Sequence, residues 1–67
     1  MDNESEAMTM VRALVKTISL EELRIFYVAN ALGDGYSQFV RRRVRSELKK
    51  RGYQIIETKT GFKVVPL

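Results

Sequence analysis

The hydrophobic period of this chain changes at Gly52. Before it, apolar residues recur at three- and four-residue steps; after it, "YQIIETKTGFKVV" sets β-branched and aromatic residues on either side of Thr58-Lys59-Thr60-Gly61. Such a run reads as strand, tight turn and strand, with Gly61 at the position expected to be left-handed and Pro66 ending the second strand. A lone two-stranded hairpin is barely stable in water. Whatever residues 53–65 form must therefore lean on the helices that precede them.

Three helical segments are expected upstream. The first covers residues 5–17, where Ala7, Met10, Val11, Leu14 and Ile18 share one face. "ISLEEL" opens the second: Ser19 and Glu22 have the spacing of a capping box, and Ile18 and Leu23 stand at the two staple positions. This helix, residues 20–32, carries apolar side chains on nearly every side, so it is expected at the centre of the core, wrapped by the rest of the fold. "GDG" (33–35) supplies its stop and a flexible joint. The third helix spans residues 36–51. The expected fold class is thus mainly α with a small antiparallel β-hairpin.

Length and composition restrict what such a fold can do. A chain of 67 residues buries only about 60% of the surface it exposes when unfolded, so one domain over 1–67 with one small core is expected. There is no cysteine and no histidine, which removes disulfides, thiolate zinc sites and the usual general base. No pair of the remaining Asp, Glu, Lys, Tyr and Ser residues forms a recognisable catalytic constellation. An enzyme is not expected, nor a metal or other cofactor. The longest apolar stretch, Ile25 to Leu32, is interrupted by Asn30 and falls far short of the roughly 20 residues of a membrane span. The acidic start "MDNESEAM" is unlike the basic start of a secretory signal. A cytoplasmic protein with no membrane partner is expected.

Charge is distributed unevenly. Residues 1–35 hold three basic groups against six acidic ones, −3, whereas residues 36–67 hold nine against Glu47 and Glu57, +7. Seven of those cations fall within the eleven residues 41–51. Plotted at 100° per residue, Tyr36, Phe39, Val40, Val44 and Leu48 lie on one side of the third helix, and Gln38, Arg41, Arg42, Arg45 and Lys49 on the other. Arg43, Lys50 and Arg51 flank the apolar stripe, where Glu47 can pair with Arg43 or Arg51. Tyr36, Phe39 and Phe62 are expected as core fillers rather than stacking platforms. A patterned basic face of this kind suits an anionic polymer.

Three helices, the last one basic and running into a hairpin, resemble the winged helix-turn-helix superfamily. "FVRRRVRSELKKRGYQIIETKTGFKVVP" is similar to the recognition helix and wing of many bacterial regulators. The resemblance implies a winged-helix-like layout and binding of double-stranded DNA, as in a nucleoid-associated transcriptional regulator or DNA-architecture factor. It assigns the third helix to the major groove, with Gln38, Arg41, Arg42 and Arg45 nearest the base edges and Lys49 at a phosphate. It brings Lys59 and Lys63 of the wing to the neighbouring backbone or minor groove. Ser37 and the free N–H groups around it, at the positive end of the helix dipole, are candidates for a further phosphate.

DNA readers of this size usually join two half-sites by symmetry. The apolar residues of the first helix exceed what a three-helix core can cover, so a homodimer is expected there, with Met10, Val11, Leu14 and Ile18 at the interface. The alternative function is that of a small antagonist that binds and inhibits a regulatory protein such as a kinase or transcription factor. "SLEELRIFYVANALGDGYSQFVRRRVRSELKKR" also looks like the helical hairpin of Sda-type histidine-kinase inhibitors.

Overall fold

The computed structural model describes residues 6–30 and 35–67. In chain order these form α1 (Glu6–Val15), α2 (Leu20–Ala29), α3 (Gly35–Lys50), β1 (Tyr53–Thr58) and β2 (Gly61–Pro66). Three helices and one antiparallel hairpin agree with the expected fold class and with a winged-helix-like layout. No described helix is long and apolar enough to cross a membrane.

Local chemistry sets the element ends. The capping box at α2 is complete: the Glu22 N–H donates to Ser19 Oγ (3.1 Å) and the Ser19 N–H to Glu22 Oε1 (2.7 Å). The Ser19 backbone N–H, and to a smaller extent the Ser19 hydroxyl, hold the Glu22 carboxyl below its ordinary pKa. The C-terminal end of α2 is set by Asn30, three residues short of the glycine that sequence pattern favours. Its side-chain amide donates to the Phe26 carbonyl (2.9 Å) and its backbone N–H to that of Tyr27 (3.3 Å). Residues 31 and 32 and the Gly33-Asp34 part of the expected joint lie outside the described residues; Gly35 is already the first residue of α3.

Helix α3, not α2, is the element around which the others gather. It packs against α1, α2 and β1, and its Val40, Val44 and Leu48 are fully withdrawn from solvent. Around them Val11 and Val15 of α1 and Leu23 and Tyr27 of α2 complete the buried cluster, with Ile18, Phe39, Tyr53, Ile55, Phe62 and Val64 packed against it. Each fully buried Leu or Val contributes roughly 1.5–3 kcal/mol by leaving water. The expectation of a wrapped α2 is corrected here. It buries one narrow stripe, and Ile25 and Val28 on its outer side are each 59% exposed, because a chain this short has no further layer to cover them. Tyr36 is likewise exposed rather than a core filler.

At the other end, Arg51 ties α3 to α1. Its Nε–H donates to Glu47 Oε2 (2.9 Å), one of the two pairings expected from spacing, and its Nη2–H to the Val15 carbonyl (3.1 Å). Gly52 then turns the chain at φ +92°, a conformation L side chains rarely adopt.

The hairpin register runs from Tyr53 opposite Pro66 to Thr58 opposite Gly61. Tyr53, Ile55, Phe62 and Val64 face the helices, so the intervening Gln54, Ile56 and Lys63 face outward. Gly61 has φ +152°, not the left-handed helical value expected of it. Lys59 and Thr60 keep negative φ, so the unusual torsion of the reversal falls on the first residue of β2.

Candidate nucleic-acid interface

The outward side of α3 is built by elimination. Ser37, Val40, Val44 and Leu48 point into the core at steps of three and four residues, which leaves Gln38, Arg42, Arg45 and Lys49 exposed. Glu47, the one carboxylate of α3, is turned to the other flank and held by Arg51. Along the exposed side, cations and an amide therefore stand without an acidic neighbour on their own helix. Arg42 and Lys49 are two turns apart, about 10 Å along the axis.

Arg41 and Arg45 are placed differently from Arg42. Both guanidinium groups lie over the ring of Tyr27, at 5.2 and 5.8 Å from its centre, and Phe62 meets that ring edge-on at 4.7 Å. Arg45 also closes a three-membered network: its Nε–H donates to the Tyr27 hydroxyl (3.2 Å), the hydroxyl donates to Glu57 Oε2 (3.0 Å), and the Arg45 Nη2–H donates to the same oxygen (2.8 Å). The hydrogen bond that Arg45 donates to Tyr27 is the largest reason the Arg45 pKa is raised, against a smaller opposing effect of burial. The network joins α2, α3 and β1 at one corner, so Arg45 braces the hairpin against the helices, and Arg41 packs over the same ring. Neither Tyr27 nor Glu57 was singled out from sequence as part of the site. The only signal for them was that Glu57 alternates with Tyr53 and Ile55 on the inner face of β1.

The other expected residues separate. Lys59 is exposed at the hairpin tip, next to the Thr58–Gly61 pair. Lys63 is exposed on the outer face of the hairpin, opposite Ile56, and so turns away from α3. Ser37 is 4% exposed, which corrects its assignment as a surface phosphate ligand: its small hydroxyl side chain fits the tight start of the buried stripe, and a hydroxyl inside the core cannot meet a phosphate. On α1, Val11 is also buried and belongs to the core of this chain, which corrects its assignment to a dimer interface. Ile18 is half-buried against the same core, whereas Met10 and Leu14 remain outside it.

Compared with protein family models, with curated proteins and with solved structures, the chain gives no match.

Proposed function

We propose that the protein binds double-stranded DNA, laying the outward side of α3 in the major groove with the hairpin tip against the adjacent backbone. The observation that carries this is the row Gln38, Arg42 and Lys49, exposed on the longest helix with no carboxylate of that helix beside it. A major groove admits one α-helix, arginine bonds guanine and glutamine adenine bidentately, and lysine suits a phosphate. Arg42 and Gln38 are the base readers, Lys49 and Lys59 the phosphate contacts, and Arg45 sets the angle of the wing through Tyr27. The biological role that follows is that of a small transcriptional regulator or DNA-architecture factor.

Alanine substitution separates these roles. Arg42→Ala should weaken binding to a selected sequence by ~1–3 kcal/mol and binding to random DNA much less, whereas Lys49→Ala should weaken both alike. If neither substitution changes binding to either DNA, α3 is not the docking element.

A second role, antagonist of a regulatory protein, draws on one specific observation. Between α2 and the hairpin lies an open groove of about 660 Å³ lined by Ile25, Val28, Ala29 and Phe62, with Arg24, Arg41, Glu21 and Glu57 at its edges. Such an apolar floor with edges of mixed charge suits an amphipathic segment of a protein. Ile25→Asp distinguishes the two roles, because it should abolish capture of a protein partner and leave DNA binding intact.

A further inference from the structure

The charges at the edges of the groove between α2 and the hairpin do not cancel. Both of its carboxylates already face an arginine: Glu21 meets Arg24 at 2.8 Å, and Glu57 meets Arg45 at 2.8 Å. Arg41 is the cation left over. It lines the groove, its guanidinium lies 5.2 Å from the centre of the Tyr27 ring, and its side chain makes no ion pair or hydrogen bond among the described residues. Stacking on a ring holds a guanidinium plane without using its N–H donors. Those donors can bind a carboxylate two at a time. Next to them, Ile25, Val28, Ala29 and Phe62 supply apolar surface, and the Ile25 and Val28 part of it stands in water.

We propose that this groove binds a small amphipathic monoanion, with an aromatic or branched hydrocarbon body on the apolar floor and one carboxylate held by Arg41. The volume of about 660 Å³ falls within the range of roughly 300–1,000 Å³ that small-molecule sites occupy, and an apolar lining with few polar groups is their usual composition. The hydroxyl of Thr60, which lines the same groove from the hairpin turn, is a further donor. One surplus cation selects one negative charge. A phosphate polymer needs a run of cations, and an acidic stretch of protein would set further carboxylates beside Glu21 and Glu57. The site uses none of Gln38, Arg42 and Lys49, so it is independent of what α3 binds and goes beyond both roles proposed above.

Naphthylacetate serves as the probe, with naphthylethanol as its uncharged counterpart and acetate as the charge without the apolar body. Chemical-shift titration of the isotope-labelled full chain should show saturable binding of naphthylacetate with a dissociation constant of about 1 mM or tighter. The shifts should centre on Ile25, Val28, Gly61 and Phe62. Naphthylethanol should bind about tenfold more weakly, and acetate should not saturate at the same concentrations. In Arg41→Gln the acid should lose about tenfold and its advantage over the alcohol should vanish, with an unchanged circular dichroism spectrum. Val28→Asp, at an exposed position, should remove binding of both. Four results would overturn the proposal: no saturable binding, which leaves the groove to a protein segment; equal binding of acid and alcohol to the unmodified chain; an acid preference that survives Arg41→Gln; or shifts centred on Met10, Leu14 and Phe26, which line a second groove without charged side chains.

Discussion

Glu57→Gln should make the protein less stable and a better DNA binder at once. Glu57 is the one carboxylate that holds a cation of the basic half across the α3–hairpin corner, at 2.8 Å from Arg45. The pair is half in water, its side chains 49% and 56% exposed, so its contribution belongs to the range for solvent-exposed ion pairs, about 0.2–1 kcal/mol, not to that for buried ones. Glutamine retains the acceptor for Tyr27 and for Arg45, and removes only the charge. Folding stability should therefore fall by no more than about 1 kcal/mol, a shift of up to ~4–8 °C in Tm for a domain of this size. A phosphate that recruits Arg45 must at present displace Glu57. With the carboxylate gone, the same 0.2–1 kcal/mol is returned to binding, which corresponds to an affinity about 1.4- to 5-fold higher at low salt. Arg45 becomes one more phosphate contact, and the dependence of log K on log salt should steepen by up to about 0.9. Fluorescence anisotropy on a labelled duplex, beside thermal melts of both proteins, measures both effects. Weaker DNA binding by a folded Glu57→Gln would mean that the ion pair builds the binding surface instead of competing with it.

Other perturbations test the fold beneath the site. Leu48→Ala removes a fully buried side chain from the helix that packs against α1, α2 and β1 and should cost about 2–5 kcal/mol. A 67-residue domain has only about 3–10 kcal/mol in total, so urea titration should find most of the stability gone; a loss under ~1 kcal/mol would contradict the packing described. Gly52→Ala should cost about 1–2 kcal/mol through backbone strain alone, because no atom lies within 4 Å of where its Cβ would stand; an unchanged Tm would mean that the turn relaxes. Glu22, with its pKa lowered by Ser19, stabilises α2 in its ionised form. That contribution is present above the unfolded carboxylate range near pH 4.5 and is lost as pH falls through the folded value. In Glu22→Gln, acid titration of stability should flatten in this window, and an unaltered profile would show that the cap does not hold in solution.

The elements were legible in the sequence because each has a local signal. Ser19 and Glu22 announce α2 three residues apart, Gly52 marks the change of period, and residues 53–66 alternate well enough to give the hairpin. The placement of α2 was not legible. A helix apolar on nearly all sides reads as central, yet burial depends on how many layers a chain can supply, and here Ile25 and Val28 stay in water while the more charged α3 takes the centre. The same limit applies to the basic face. A helical plot groups Arg41, Arg42 and Arg45, but only Arg42 points straight out. The other two lean toward Tyr27 and Glu57, partners 14 and 12 or more residues away in sequence whose approach depends on the hairpin docking. Ser37 follows this pattern as well: a hydroxyl near a helix start suggests a phosphate ligand, and only the packing of Val40 and Val44 one turn on reveals which way it faces.

The salt dependence of duplex binding bears most directly on whether α3 and the hairpin tip form a DNA interface. Lys49 and Lys59 are free of carboxylate partners in the ion pairs described, and Arg45 becomes available when it leaves Glu57. Two to three phosphate contacts correspond to a slope of log K against log salt of about −1.8 to −2.7. Lys49→Ala and Lys59→Ala together should reduce that slope by nearly two units. Binding that does not weaken as salt rises, or a slope that the double substitution leaves unchanged, would contradict the assignment of this surface to DNA.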